Sequence, residues 1–151
     1  MIHLRPATKA DLPALFSLDQ ICFDAGIAYS LREFRALLRS PRTLAIVAEE
    51  DGKLAAFVIA LFVRSQGEDG GHIITIDVDR DFRRRGIGRL LMEQIETKFR
   101  TAGAQWLRLE VAENNPEAQS FYAKLGFQAV GRIEGYYQGA VAALLMEKPL
   151  A

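Results

Sequence analysis

The sequence predicts an α/β (α+β) domain with a mixed, mostly antiparallel central sheet, one parallel strand–helix–strand unit and helices on both faces of the sheet. The parallel unit carries the clearest signal, because an apolar strand at 72–78 leads into a helical pattern and a second apolar strand follows at 106–112. Strands joined in this way lie side by side with a right-handed crossover. The antiparallel part is indicated by Asp51-Gly52 between two strand-like runs, which is typical of a hairpin turn.

Length and composition are typical of a single domain over residues 1–151. Hydrophobic residues make up 50% of the chain, enough for a real core, and its 19 basic and 19 acidic residues cancel. A balanced charge argues against a broad nucleic-acid-binding surface. No apolar run reaches the ~20 residues of a membrane helix, and the first residues lack a signal-peptide layout, so we expect a cytoplasmic protein without membrane contact.

The first half of the chain is predicted to hold one strand, two helices and two further strands. Apolar and polar residues alternate at 2–5, which favours the first strand. Thr8 with Asp11, and Ser30 with Glu33, have the spacing of capping boxes, so two helices are predicted to begin there. A loop is expected at 24–29, strands at 43–49 and 53–63, and a second loop at 64–71.

The second half is predicted to alternate strands and helices. After the strand at 72–78, a helix is expected to run to about residue 101 and the next strand to cover 106–112. A turn cluster then leads into a short helix at 117–125, which Gly126 ends. Two last strands are expected at 127–133 and 140–147, with Gly135-Tyr136-Tyr137 between them.

The loop between the strand at 72–78 and its helix is predicted to bind phosphate. Gly86 and Gly88 stand where the helix begins, and a helix N-terminus offers free N–H groups and the positive end of the helix dipole. Glycine lets a bulky anion approach those amides. Arginine adds forked donors suited to phosphate oxygens. The arginines nearby are Arg80, Arg83, Arg84, Arg85 and Arg89. A solvated basic turn is the alternative explanation for them.

Metal and thiol chemistry are not expected. The single cysteine, Cys22, cannot form an intramolecular disulfide and lies in an apolar helical pattern, so a buried thiol is expected rather than a nucleophile. His3 and His72 lie on predicted strands without a nearby histidine or cysteine. We therefore predict no metal site.

The order of elements and three groups of motifs resemble the GNAT superfamily of acetyl-CoA-dependent N-acetyltransferases over essentially the whole chain. The motifs are IHLRPAT at 2–8 with Asp11-Leu12, IDV at 76–78 with RRRGIG at 83–88, and LEV at 109–111 with Asn114-Asn115 and AQSFYAKLGF at 118–127. Within the superfamily the sequence is most similar to the RimI-type branch, which acetylates the N-terminal alanine of a ribosomal protein.

The resemblance implies acetyl-CoA as the acetyl donor and a primary amine, that of a protein or peptide N-terminus, as the acceptor. The strand backbone at Ile76 and Val78 would hold the acetyl carbonyl and the pantetheine arm, and Asn115 and Tyr122 would also contact the cofactor. The loop would bind the pyrophosphate through Arg83, Arg84, Arg85, Gly86, Ile87, Gly88 and Arg89.

Two catalytic residues follow from the same resemblance: Glu110 as general base and Tyr122 as general acid toward the departing sulfur. The chemistry makes the same demand, because an alkyl ammonium group must lose a proton before the amine can attack a thioester. The alternative explanations are an outward-facing acid on an alternating strand and a packed core tyrosine. Asp77 on the neighbouring strand is a rival base, or would bind the substrate ammonium.

The acceptor is the least determined part of the prediction. Tyr136 and Tyr137 match positions that line the acceptor entrance. Two features depart from the RimI pattern. Arg80 replaces a proline, which is expected to affect only the stiffness of the loop, and Val141-Ala142 replaces an acidic residue, which suggests a different acceptor. Acetylation of a small-molecule amine or amino acid is therefore an alternative, and a non-catalytic acyl-CoA sensor is a third. The sequence leaves the oligomeric state open, a homodimer included.

Overall fold

In the computed structural model, which describes residues 1–23, 27–137 and 139–150, seven strands form one sheet. Its order is β1–β2–β3–β4–β5–β7–β6, where the strands are β1 (His3–Pro6), β2 (Thr43–Glu50), β3 (Lys53–Ser65), β4 (Glu68–Val78), β5 (Trp106–Ala112), β6 (Gln128–Tyr137) and β7 (Val141–Pro149). The helices are α1 (Leu12–Cys22), α2 (Leu31–Arg39), α3 (Ile87–Thr101) and α4 (Pro116–Lys124). None of the helices in these described ranges is both long and apolar enough to cross a membrane.

The predicted architecture is confirmed. β4 and β5 are parallel neighbours joined through α3, and the other neighbouring pairs are antiparallel. The hairpin turn between β2 and β3 forms at Asp51 and Gly52, both with positive φ, as a tight turn requires. At the start of α2, Ser30 accepts from the Glu33 N–H at 3.1 Å and Glu33 accepts from the Ser30 N–H at 2.9 Å. Of the loop expected at 24–29, residues 24–26 lie outside the described part of the chain.

The loop predicted at 64–71 is wrong. β3 and β4 continue into a second hairpin, whose turn is Gln66 and Gly67 with φ of 52° and 81°. Gly70 and Gly71 suggested a loop, but they lie within β4 because side chains cover them. A Cβ on Gly71 would come within 2.7 Å of Leu107, and one on Gly70 would collide with the Trp106 ring. These glycines permit close packing instead of a turn.

The segment predicted to connect the last two strands is also part of a strand. β6 extends to Tyr137, so Gly135, Tyr136 and Tyr137 belong to it. The pairing of β6 with β7 shifts register between Ile133 and Tyr137. An irregularity of this kind bends an edge strand and turns its side chains toward a new direction.

Helices cover the sheet on both faces, as predicted. α3 packs one face through a stripe at helical spacing, formed by Ile87, Leu91, Met92, Ile95 and Phe99, all buried. α1 and α2 pack the other face, where Leu15 and Phe34 are buried against Phe57. The alternation predicted for β5 holds, because Leu107, Leu109 and Val111 lie in the α3 core while Glu110 does not.

A gap opens between β4 and β5 at their carboxyl ends. The two strands pair only at Gly71 with Leu107 and at His72 with Arg108. Two residues after His72, the register of β4 against β3 shifts, which marks a bulge at Ile74. A bulge increases local twist and re-aims the strand. Residues 75–78 of β4 and 110–112 of β5 therefore diverge, and we call the space between them the wedge.

Candidate active site

The wedge exposes a row of backbone groups on β4. The Asp79 N–H donates to the Ala55 carbonyl at 2.8 Å, and antiparallel pairing alternates from residue to residue. The N–H and C=O groups of Ile76 and Val78 consequently point away from β3 and into the wedge. An extended ligand with amides of its own can add to such an edge like another strand. Ile76 and Val78 are the two positions that the sequence analysis predicted to hold the pantetheine arm.

The predicted phosphate loop has the backbone shape of an anion site. Arg84 has φ of 63°, and Gly86, which precedes the first residue of α3, has φ of 77°. Alternation of right-handed and left-handed residues turns successive N–H groups to one side. The first backbone bond of α3 runs from the Leu90 N–H to the Gly86 carbonyl, so the N–H groups of Ile87, Gly88 and Arg89 have no partner within the helix.

Gly88 allows close packing of α3, in addition to the access that it gives a ligand to the backbone amides. A Cβ at this position would lie 3.3 Å from the Phe121 ring and 3.6 Å from Val78. The absent side chain therefore brings α3 against both α4 and the end of β4. For Gly86 the requirement is the positive φ alone, because a Cβ there would contact nothing within 4 Å.

Three of the arginine side chains are held by the protein itself. Arg83 Nε donates to the Val78 carbonyl at 3.1 Å. Arg85 donates to both carboxylate oxygens of Glu50 at 3.2 and 2.9 Å, and Arg85 with the N-terminal ammonium lowers the pKa of Glu50 to about 2. Arg89 pairs with Glu93 at 3.0 Å. Arg83 and Arg85 thus tie the loop to β4 and β2, while the Arg89 pair lies within α3.

At the carboxyl end of β5, Glu110 faces a histidine on β4. Glu110 Oε1 lies 2.7 Å from His72 Nε2, and the Tyr136 hydroxyl donates to the same oxygen at 3.3 Å. The Glu110 side chain is 16% exposed and that of His72 is 31% exposed. The predicted base therefore stands in a half-buried cluster with two polar partners. The sequence prediction missed His72, which it considered only as a metal ligand.

Tyr122 belongs to the core on the α3 side of the sheet. It is buried on α4, where its ring packs against Phe121 at 5.2 Å and Phe127 at 5.9 Å. Burial raises the pKa of Tyr122, with further contributions from Asp77 and Tyr137. Within the described residues its hydroxyl has no hydrogen-bond partner, so the phenol is a protonated donor free to serve a ligand.

Asn115 contributes to the site through the start of α4. Its Oδ1 accepts from the Ala118 N–H at 3.1 Å and caps the helix. The cap holds the side chain in one orientation and leaves its amide nitrogen as a donor. The predicted cofactor contact would therefore come from that nitrogen.

Three tyrosines form an aromatic wall beside Glu110, which we call the tyrosine wall: Tyr29, Tyr136 and Tyr137. The rings of Tyr136 and Tyr137 meet edge to face with centroids 4.9 Å apart. Burial and then the neighbouring Tyr136 raise the pKa of Tyr137 to about 12. Burial and then Tyr136 and Tyr137 also raise the pKa of Tyr29, which lies before α2 and which the sequence prediction did not include.

Asp77 is the predicted substrate contact that the structure does not bring to the tyrosine wall. It is 1% exposed and lies under α1, where the Thr75 hydroxyl donates to it at 2.6 Å. Its nearest charged partner is Asp19 of α1, itself fully buried. Burial, followed by the hydrogen bond and the charge of Asp19, raises the pKa of Asp77 well above the usual range for an aspartate.

Cys22 is half-buried and not fully buried as predicted. Its Sγ lies 3.7 Å from the Val78 carbonyl oxygen, beside Arg83. Burial raises the pKa of the Cys22 thiol, with the charge of Asp77 adding to the effect. A thiol held protonated is a poor nucleophile.

The residues present fit acetyl-CoA as a ligand. The wedge offers edge backbone groups for a pantetheine arm, the loop offers amides for a pyrophosphate, and Gly88 places no side chain over those amides. A carboxylate, Glu110, borders the wedge on one face of the sheet, and a phenol, Tyr122, lies in the core on the other face. Such an arrangement can take a proton from an amine and give one to a leaving sulfur.

The chain is similar to known proteins in both sequence and structure. The sequence pattern of the acetyltransferase (GNAT) family matches residues 12–127. The [ribosomal protein bS18]-alanine N-acetyltransferase of Salmonella typhimurium is 33% identical over 147 residues, which are 95% of each chain. The crystal structure of the ribosomal-protein-S18-alanine N-acetyltransferase from Escherichia coli aligns with a TM-score of 0.87 and 29% identity, over 100% of this chain and 95% of that one. Arabidopsis thaliana NAA60 in complex with acetyl-CoA shares the fold, with a TM-score of 0.86 and 21% identity over 99% of this chain and 98% of that one.

Proposed function

The chain belongs to the acetyltransferase (GNAT) family, and from that membership we propose that it acetylates the N-terminal amine of a protein or peptide. It is an acetyl-CoA-dependent N-acetyltransferase. The acceptor is the proposed part. The observation that carries the proposal is the cluster of Glu110, His72 and Tyr136 beside the tyrosine wall, in a chain similar to a ribosomal-protein alanine acetyltransferase over nearly its whole length.

Glu110 is proposed to receive the proton that the acceptor ammonium must lose. His72 and Tyr136 both bond to its Oε1, and within the described residues its Oε2 has no partner. The carboxylate therefore has one oxygen held in place and one free to accept. His72 orients the carboxylate through its hydrogen bond to Oε1. The free amine then attacks the acetyl carbonyl directly.

Donor binding is proposed to use the backbone. The β4 groups at Ile76 and Val78 hold the pantetheine arm, and the amides of residues 84–89 hold the pyrophosphate. The Asn115 amide nitrogen adds a donor near the arm. The side chains of Arg83 and Arg85 hold the loop through their bonds to the Val78 carbonyl and to Glu50.

Tyr122 is proposed to supply the leaving proton. Its phenol stays protonated because burial raises its pKa, and it lies on α4. Collapse of the tetrahedral adduct breaks the carbon–sulfur bond, and Tyr122 gives its proton to the thiolate. Glu110 releases the first proton to solvent, the acceptor nitrogen then loses a second proton, and that proton restores the Tyr122 phenol. The products are therefore an amide, a thiol and one proton released to solvent.

Three short peptides and a small amine separate the proposed acceptors. One peptide has a free N-terminal alanine, the second has the same sequence with a blocked N-terminus and an internal lysine, and the third begins with a bulky residue. Thiol release and product mass are measured with acetyl-CoA. We expect acetylation of the first peptide only. Acetylation of the blocked peptide would move the acceptor to a side-chain amine, and acetylation of the small amine alone would contradict the proposal.

A further inference from the structure

Two buried carboxyl groups lie next to each other between α1 and β4. Asp19 is 0% exposed and Asp77 is 1% exposed. The outer oxygen of each is already bonded: the Thr75 hydroxyl donates to Asp77 Oδ1 at 2.6 Å, and the Tyr29 N–H donates to Asp19 Oδ2 at 2.7 Å. The inner oxygens, Asp19 Oδ1 and Asp77 Oδ2, are the ones without a donor among the described residues.

Two ionised carboxylates cannot lie side by side in a dry interior without a counter-charge. The titratable groups that face the pair are Cys22 on α1, Tyr29 before α2 and Tyr122 on α4. All three have a pKa raised by burial, so all three are neutral at neutral pH. From β3 the pair meets Phe57, the partner of Asp77 in the sheet. In the described part of the chain, no cation acts on the pKa of Asp77.

We propose that Asp19 and Asp77 share one proton between their inner oxygens, and that this pair positions Tyr29 in the tyrosine wall for the acceptor. The proton makes one inner oxygen a donor and the other an acceptor, which satisfies both. Neither aspartate touches substrate, so both are positioning residues. The inference rests on the proposed function for its consequence at the acceptor, and for the shared proton on the burial of both carboxyls and on their two oxygens that lack a donor among the described residues.

The connection from the pair to the acceptor runs through the backbone of one residue. Asp19 accepts the Tyr29 N–H, and the Gln20 side chain donates to the Tyr29 carbonyl at 3.0 Å. The end of α1 thus binds both the N–H and the carbonyl of Tyr29. The Tyr29 ring then packs on Phe34, with centroids 5.9 Å apart, and faces Tyr136 and Tyr137. If Asp19 turns away, Tyr29 loses its N–H acceptor.

Loss of the shared proton has a defined effect. Without it the two carboxylates repel, Asp19 is displaced and Tyr29 shifts in the tyrosine wall. The phosphate loop and the wedge edge of β4 do not depend on Asp19, so donor binding is retained. The pair therefore links acceptor affinity, and not acetyl-CoA affinity, to pH.

Carboxyl titration tests the proton directly in the intact chain. With carbon-13-labelled aspartate, the carboxyl chemical shifts are followed by NMR across pH, and Asp19→Asn and Asp77→Asn assign the two signals. We expect one proton to remain on the pair far above the ordinary aspartate pKa of about 4. Ionisation of both groups in the ordinary range would overturn the proposal.

Variants test the positioning role. Asp77→Ala leaves Asp19 without a partner, and we expect it to raise the acceptor KM about tenfold while the acetyl-CoA Kd stays within about twofold, the size expected for one lost charged hydrogen bond. Asp77→Asn keeps a permanent N–H donor toward Asp19, so it should rescue the acceptor KM and remove its rise with pH. If Asp77 served only general stability, the acceptor KM and the acetyl-CoA Kd would both rise, and Asp77→Asn would behave like Asp77→Ala. That result would contradict the proposal.

A third measurement needs no acceptor. Hydrogen exchange of the Tyr29 N–H should be about tenfold faster in Asp77→Ala than in Asp77→Asn, because only the former frees Asp19 to move. Gln20→Ala is the matched control, since it removes the other hydrogen bond to Tyr29 without touching the pair and should leave the carboxyl titration unchanged. If no peptide is acetylated by the wild-type enzyme, the proposed function fails, and the titration and exchange results still decide this inference.

Discussion

Glu110 and His72 meet across the junction where β4 and β5 stop pairing, with Oε1 and Nε2 2.7 Å apart. The strands are parallel at this point, so the last paired residues bring the carboxyl ends to the same edge. The contact joins a residue that carries the expected base chemistry to one that the sequence prediction had not assigned to the site. It is the structural basis of the first two predictions.

Replacing the carboxylate should slow turnover without weakening donor binding. Glu110→Gln keeps the size of the side chain and a hydrogen bond to His72, but removes the proton acceptor, so we expect kcat to fall by about 10² to 10⁴-fold. The acetyl-CoA Kd, measured by calorimetry, should be unchanged. Glu147→Gln is the matched control, because Glu147 pairs with Arg108 on the neighbouring strand and outside the cluster. Equal kcat in Glu110→Gln and the control would remove Glu110 from the base role.

Replacing the histidine should have a smaller effect of the same kind. His72→Ala leaves Glu110 with the Tyr136 hydroxyl alone, and a lost hydrogen bond to a charged group corresponds to a kcat decrease of about 10 to 100-fold. His72→Gln retains a donor and should keep more activity than His72→Ala. His3→Ala, on β1, serves as the control. Steady-state kinetics at several pH values check the ranking, and a fully active His72→Ala would contradict it.

Removing the Tyr122 hydroxyl should reduce turnover but not stability. Tyr122→Phe keeps the ring contacts with Phe121 and Phe127, and we expect kcat to fall by about a hundredfold, since the acid is lost. Because burial raises the pKa of Tyr122, the phenol of the wild-type enzyme stays protonated through pH values near the ordinary tyrosine value of about 10. If kcat of the wild type fell with rising pH before about pH 10 because Tyr122 lost its proton, the assignment would be contradicted. Unchanged kcat in Tyr122→Phe would also contradict it.

A substitution at the start of α3 should weaken the binding of acetyl-CoA. Gly86 has φ of 77°, which side-chain-bearing residues adopt at a cost of about 1–2 kcal/mol. We expect Gly86→Val to lower stability by about that amount and to raise the acetyl-CoA Kd about tenfold or more, because relaxation of the loop turns its amides away. Gly103→Val is the matched control: φ there is 86° and its Cβ would also meet open space, so stability should fall without a change in Kd. Equal acetyl-CoA Kd values in both variants would contradict the role of this loop in phosphate binding.

Stability should fall as pH rises, through Asp77. The pKa of this buried carboxyl is raised in the folded state, so the folded protein binds more protons than the unfolded chain above the ordinary aspartate pKa of about 4. Its contribution is complete below that value and is lost as pH increases toward its folded pKa, by about 1.4 kcal/mol for each pH unit. Urea unfolding of the wild type and of Asp77→Asn across this range gives the difference. A difference that does not change with pH would contradict the raised pKa.

Local sequence features predicted the parts of the site that are built from consecutive residues. The phosphate loop is one example, because a helix N-terminus with Gly86 and Gly88 has the same chemistry in any surroundings. The capping box of Ser30 and Glu33 is another. The roles of Glu110 and Tyr122 came from motifs at fixed spacing and remain predictions; the structure shows that Glu110 contacts His72 and that Tyr122 is buried on α4.

The failures have a common cause. Gly70 and Gly71 have the composition of a loop, yet they lie in β4 because Trp106, Leu107 and Phe99 occupy the space above them. Asp77 has the type and position of a substrate contact, yet α1 covers it. In each case the deciding side chain is far away in the sequence, so no local pattern could reveal it.

By itself, the sequence determined the order of the strands and helices, the parallel unit and the loop that follows β4, because these depend on periodicity, turn residues and spacing within a short stretch of chain. Only the tertiary structure decided that His72 meets Glu110, 38 residues apart, and that Asp19 meets Asp77. Those contacts depend on the register between strands and on where a helix crosses the sheet. Both are set by packing of the whole core, which fixes the distances between side chains that the chain order leaves free.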